Sequence, residues 1–240
     1  MDKIGRSIHR FDTIGSTQDL ARSLVLSGAN DGEVIISSIQ SRGKGRRGDA
    51  WVSPKGGLWF SIILFPYNLS CDKIFLFSLA IGFGIAKAIE KETGLFVLTK
   101  WPNDLYVKEK KIGGILIESD ISLNRVNWLI VGIGINVNID KNLLPENATS
   151  IREELKRDSR FVVRDMDISL DALFFSILNG INDIYLNIDG ILDLLPMIKE
   201  RCITIGKEVQ FENISGRAID IDLQGRLIIK TKEGKTVHFS

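Results

Sequence analysis

The sequence predicts an α+β fold: a mixed sheet flanked by helices, then a small all-β unit. Three observations carry this. Over the first 200 residues, strand-like and helix-like runs alternate without a regular repeat. From Ile203 onward, short strand candidates alternate with tight turns. Between two early strand candidates hangs a loop, Gln40 to Leu58, with five glycines and five Lys or Arg in nineteen residues. That density excludes a regular helix, since each interior Gly costs about 1 kcal/mol against Ala.

Taken in order, Ile8–Ile14 reads as an opening strand. Ser16 is the N-cap candidate of a helix that carries Leu20 and Leu24 and ends in the Gly28–Gly32 stretch. Val34–Ser38 and Leu58–Leu64 are strands on either side of the basic loop. Asp72–Glu92 is a long helix closed by Thr93-Gly94. Its uncharged core, Ile74 to Ala86, is thirteen residues, too short to span a bilayer.

Leu95–Lys100 is a strand, and Pro102-Asn103-Asp104 turns the chain. Leu105–Val107 and Ile112–Glu118 form a hairpin whose charged turn is Lys108 to Lys111. Val126–Asn138 is a strand in which Gly-Ile-Gly-Ile-Asn alternates apolar residues with small or polar ones. One face packs, and the other stays flat enough for close backbone approach. A short helix at Ile151–Arg157, a longer one at Ser169–Leu186 and another at Ile191–Glu200 follow. Strands at Glu208–Phe211, Arg217–Asp222, Leu227–Thr231 and Thr236–Phe239 then suggest a small β-barrel. The boundary falls near Arg201, giving units 1–200 and 201–240.

Composition narrows the function classes. The chain has 44% hydrophobic residues and a net charge of +1, so it can bury a core and offers no bulk electrostatic case for a nucleic-acid or membrane partner. Any basic site must be local. Cys71 and Cys202 are far apart and read as ordinary thiols of a reducing compartment; a nucleophilic cysteine is the sharper alternative. His9 and His238 make no metal motif. The N-terminus has no apolar signal segment, and a cytoplasmic location is expected.

Three constellations can carry chemistry. The first is the basic loop, Gly43-Lys-Gly-Arg-Arg-Gly-Asp-Ala-Trp51, whose exposed N–H groups and converging cations suit a polyanion. Its bland reading is a solvated loop or an RNA-touching patch. It is not a P-loop, because no Ser or Thr follows Gly43-Lys44 in the required pattern. The second is Lys100-Trp-Pro-Asn-Asp104 with Lys111-Ile-Gly-Gly-Ile-Leu116. Lys108 and Lys110 read as turn charges, whereas Lys111 can point into a site beside Gly113 and Gly114. The third is Ser16-Thr17-Gln18, a cap that also offers several donors and acceptors.

Together these motifs resemble the biotin protein ligase family over nearly the whole chain. The resemblance rests on Gly43–Pro54, Lys100–Asp104, Lys111–Leu116, Gly132–Asn136 and Ser16–Gln18, in the family's order and with matching intervals. It implies a class II synthetase-like catalytic domain with an SH3-like C-terminal barrel. It also implies activation of biotin by ATP, entering with Mg²⁺, to biotinyl-5′-AMP. Biotin then passes to one lysine of a biotin carboxyl carrier domain. By resemblance, Lys111 and Arg46 are catalytic. Ser16, Thr17, Gln18 and Gln40 meet the ureido end of biotin; Lys44, Gly45, Arg46, Lys111, Gly113 and Gly114 complete its site. Arg46, Trp51, Lys100, Asn103, Lys111 and Asn136 serve ATP, with no separate protein metal cage.

The chain departs from the family in three places. Gln18 replaces Asn, Lys44 replaces Arg, and Asp49 stands where many members carry Arg. The family's repressor members carry an N-terminal helix-turn-helix; this chain opens on the catalytic motifs, so no operator binding is expected. A homodimer is a family expectation. The rival readings are a lipoate–protein ligase and a non-catalytic biotin or adenylate sensor.

Overall fold

The computed structural model describes residues 3–158, 167–211 and 214–240. Seven strands form one sheet: β1 (Ile8–Ile14), β2 (Val34–Gln40), β3 (Leu58–Leu64), β4 (Leu98–Lys100), β5 (Asp104–Val107), β6 (Lys110–Ser122) and β7 (Arg125–Ile135). Their spatial order is β1-β2-β3-β7-β6-β5-β4. Only β1 and β2 run parallel; the other pairs are antiparallel, so the sheet is mixed as expected.

The period-2 alternation of β2, β3 and β7 separates two cores. On one face, helix α1 (Thr17–Leu26) buries Ala21 against Ile35, Ile63 and Ile130. On the other, Val34, Ile62 and Val131 face the main core beneath α2 (Ile74–Thr93) and α4 (Leu170–Leu186). α2 ends at Gly94, whose φ of 72° is the left-handed cap conformation that glycine adopts without strain. A short α3 spans Ile151–Arg157, capped by Ser150, which accepts from the Glu153 amide. The segment expected as one helix over Ile191–Glu200 is a 3-10 turn at Ile188–Leu194 followed by α5 (Leu195–Arg201). The expected Leu95–Lys100 strand is shorter, beginning at Leu98.

The last four strands are β8 (Glu208–Phe211), β9 (Ile214–Ile221), β10 (Leu227–Thr231) and β11 (Thr236–Phe239). They make a small antiparallel sheet in the order β11-β10-β9-β8. The expected strands are present, but β8 and β11 are its two edges, so the sheet does not close into a full barrel. The reason lies in its apolar face. Ala218, Ile221, Leu227 and Ile229 join the main core instead of a core of their own. Trp101 is the joint. Its indole N–H donates to the Gly225 carbonyl at 2.9 Å, and its ring meets Phe75, Phe211 and Phe239.

Candidate active site

α1 covers only part of its sheet face. Beyond Ile63 and Ile130, the same face continues as Ser61 on β3, Gly132 and Gly134 on β7 and Gly114 on β6. Small residues there leave a cleft of about 660 Å³. The glycines are required by close approach. A Cβ on Gly132 would lie 2.5 Å from Gln18 Oε1, and one on Gly134 would lie 2.7 Å from Trp51 Nε1.

One end of the cleft is a hydrogen-bonded polar cluster. Gln40 Oε1 accepts from the Thr17 amide at 2.8 Å and the Thr17 hydroxyl at 3.1 Å. Ser61 Oγ lies 2.9 Å from Thr17 Oγ1 and donates to Gln18 Oε1 at 2.9 Å. Gln18 Nε2 donates to the Ile130 carbonyl. Ser16 precedes α1, but its side chain makes no cap bond; its buried hydroxyl has no protein partner. An orphaned buried hydroxyl at a cleft wall is an invitation to a polar ligand group.

The basic loop forms the roof. Gly45 N donates to Asp49 O at 2.7 Å, which folds Arg46–Gly48 into a single tight turn with Arg47 at φ 55°. Trp51 N donates to Gly43 O, and a Cβ on Gly43 would lie 2.4 Å from Trp51 O. Gln40 and Ser53 bridge the base of the loop. Lys44 pairs with Asp19 of α1. Arg46 Nη1 reaches Asn103 Oδ1 at 3.4 Å. Burial pulls the Arg46 guanidinium below its ordinary pKa and neighbouring Arg47 adds to this, while Asp104 opposes it. It remains a cation, since arginine does not deprotonate in proteins.

Lys111 sits at the centre. Its ammonium is 2.8 Å from Asp104 Oδ1 and 4.9 Å from the Trp51 ring centroid. A bulge puts it there. Leu105 pairs with Gly113, yet Tyr106 pairs with Lys111, so Ile112 is the extra residue in β6. In a regular strand Lys111 and Gly113 would share a face. The bulge instead puts Lys111 with Gly114 on the cleft side, and Gly113 abuts Ile135 and Gly134.

The far end is lined by Asn103, Asn136, Leu144, Pro145, Asn147, Ala148 and Phe211. Asn136 Nδ2 donates to the Thr149 carbonyl, while its buried Oδ1 has no protein partner.

The cleft therefore brings together Ser16, Thr17, Gln18, Gln40, Lys44, Gly45, Arg46, Trp51, Asn103, Lys111, Gly114 and Asn136. Two expected residues stay outside it. Gly113 is turned away by the bulge. Lys100, exposed, ends the edge strand β4 with its ammonium over the Tyr106 ring, 5.5 Å from the centroid. Sequence reasoning gave no role to Asp104, Ser61, the 144–148 loop or Phe211. Asp104 stood inside a recognised motif; the others meet the cleft only through tertiary folding. Among the described residues no group of three or more His, Cys, Asp or Glu side chains could hold a metal ion.

The sequence pattern of the "Biotin/lipoate A/B protein ligase family" matches residues 11–136, and that of the "Biotin protein ligase C terminal domain" matches residues 204–240. The chain belongs to this family. It is 28% identical over 242 residues to the bifunctional ligase/repressor BirA of Bacillus subtilis, covering 96% of this chain and 71% of that protein. It is 33% identical over 106 residues to the biotin–[acetyl-CoA-carboxylase] ligase of Paracoccus denitrificans, covering 43% of each chain. Among solved structures, the biotin protein ligase of Aquifex aeolicus in complex with biotin and ATP superposes with a TM-score of 0.80. It is 27% identical and covers 97% of this chain and 95% of that one. The mixed sheet, its flanking helices and the small C-terminal sheet are thus the biotin protein ligase fold.

Proposed function

We propose that this chain joins biotin to ATP, forms biotinyl-5′-AMP and passes biotin to one lysine of a biotin carboxyl carrier domain. The observation that carries this is a single cleft in which a neutral polar end, a central ammonium and a cationic roof lie in sequence. Biotin has matching parts: a polar ureido ring, an apolar body and a carboxylate. Ser16, Thr17, Gln18 and Gln40 are the donors and acceptors for the ring. Trp51 and the glycine floor accept the apolar body. Lys111 would receive the carboxylate and the α-phosphate.

The chemistry follows from charge. A biotin carboxylate oxygen attacks the α-phosphorus, and pyrophosphate leaves. Both reactants are anions, so their repulsion must be offset before they meet. Lys111 offsets it at the point of bond formation, and Arg46 adds a second cation from the roof. In the second step the carrier amine attacks the acyl carbon, and AMP leaves. Until then the adenylate must be kept from water, a role that suits the loop roof over the cleft. ATP enters as its magnesium complex, with the metal carried by the substrate's phosphates. Asn103 and Asn136 serve the nucleotide end.

Acetyl-CoA carboxylase is the proposed source of the carrier domain, by likeness to the Paracoccus denitrificans relative. The test is single-turnover pyrophosphate release with Mg-ATP and either biotin or lipoate. A burst with biotin alone supports the reading. A burst with lipoate alone moves the substrate to the other branch of the family, and no burst despite tight biotin binding makes the chain a sensor.

A further inference from the structure

We propose that Lys141 is a positioning residue for the nucleotide end of the cleft, its ammonium acting as a built-in cation that holds the 144–148 wall in shape. This rests on the functional reading above. Lys141 Nζ donates to three carbonyls of one loop: Pro145 O at 2.7 Å, Ala148 O at 2.8 Å and Glu146 O at 3.0 Å. An ammonium has three N–H donors, and all three are used. The carbonyls converge on one point, where their partial negative charges repel one another unless a cation lies between them.

The loop's other fastenings are scattered single bonds. Leu144 N bonds Lys141 O and Ala148 N bonds Pro145 O within it. Lys110 Nζ reaches Glu146 O from outside at 2.9 Å. No regular helix or sheet ladder carries residues 144–148.

The loop is tied directly to the reacting centre. Lys111 N donates to Asn147 O at 3.1 Å, and Thr149 N donates to Lys111 O at 2.9 Å. The Lys111 N–H and C=O are thus both held by the segment that Lys141 shapes. Leu144, Pro145, Asn147 and Ala148 also line the cleft beside Asn136. The polar cluster around Thr17 and Gln40 makes its hydrogen bonds with Gln18, Ser53, Ser61 and Ile130, none of them in this loop. Loss of the Lys141 ammonium should therefore weaken the nucleotide more than biotin, which meets this segment only through its carboxylate on Lys111.

The experiment compares Lys141→Ala with the wild-type chain. The KM for ATP is expected to rise on the order of tenfold, while biotin affinity without ATP falls by less, about threefold at most. Added propylammonium should bring the ATP KM of Lys141→Ala back toward wild type by refilling the carbonyl ring. Lys141→Arg should fall between the two, because a planar guanidinium cannot aim three donors at one converging set. Should Lys141→Ala fail to fold, Lys141→Met keeps the apolar stem and takes its place. An ATP KM within twofold of wild type overturns the proposal, as does an equal loss of affinity for both ligands.

Hydrogen exchange without ligand separates this from the functional reading. Faster exchange at the Lys111 and Ala148 amides in the variant supports the loop's dependence on Lys141; unchanged exchange there overturns it. A wild-type chain that binds neither biotin nor ATP overturns the functional reading instead.

Discussion

Lys111 and Asp104 face each other across the β5–β6 hairpin at 2.8 Å, each about a quarter exposed to solvent. Such a pair contributes only about 0–1 kcal/mol to stability. Its worth is positional: Asp104 holds the ammonium at the centre of the cleft until an anionic ligand competes for it. Lys111→Ala is expected to fold with a near-normal melting temperature. Its single-turnover pyrophosphate release should fall by at least about a hundredfold. A near-normal burst would remove Lys111 from the chemistry.

Gly134 and Gly114 make graded tests of the cleft floor. A Cβ on Gly134 would sit 2.7 Å from Trp51 Nε1, whereas one on Gly114 would come no closer than 3.3 Å to the same ring. A rigid indole cannot absorb the first contact without moving; the second needs a shift of a few tenths of an ångström. Gly134→Ala should therefore weaken biotin binding on the order of tenfold or more, and Gly114→Ala by less. Isothermal titration with biotin checks the order, and the reverse ranking would refute this account of the floor.

These glycines also mark where sequence reading worked. Alternation in β7 is legible because a strand's period is two, and the Gly-Ile-Gly-Ile run announces a bare face. The strand bounds Ile8–Ile14 and Leu58–Leu64 match the structure. Ser16 looked like a cap because of its neighbours, yet its hydroxyl is left for the cleft. Gly113 reads as part of the site because Gly113 and Gly114 together leave room beside Lys111; no residue type announces the bulge that turns Gly113 away. Lys100 carried a motif's charge but ends an edge strand. Phe211 is about a hundred residues from Trp101, and only docking of the C-terminal sheet brings the two rings to 5.6 Å.

Asp49 lines the cleft at the turn that Gly45 N closes. Its φ of −60° and ψ of 144° are open to any side chain, so Asp49→Arg keeps the turn. The change replaces one negative charge with a positive one near the site proposed for ATP. Apparent ATP affinity should improve by roughly three- to tenfold at low ionic strength. Most of that gain should vanish in about 0.5 M salt, because the group is exposed. Unchanged affinity at low salt would mean that the phosphates do not pass this residue.

Asp222 governs how the C-terminal sheet meets the catalytic unit. Its carboxylate accepts from His238 Nδ1 at 2.7 Å, Arg226 Nε at 2.8 Å, and the Arg226 and Gln224 amides at 2.9 and 3.0 Å. This fixes the turn whose Gly225 carbonyl receives Trp101 Nε1 and whose Gln224 carbonyl receives the Leu76 amide. Burial pushes the Asp222 pKa up, but the hydrogen bonds from His238, Arg226 and Gln224 outweigh it and hold it below the ordinary value. A depressed folded pKa stabilises the fold above the unfolded value, near pH 4, and that contribution is lost as pH falls through the folded pKa. Asp222→Asn should therefore lower stability by about 1–2 kcal/mol at neutral pH. The gap in melting temperature between variant and wild type should narrow below about pH 4. A gap that stays constant from neutral pH down to about pH 3 would show that the ionised carboxylate does not hold this joint.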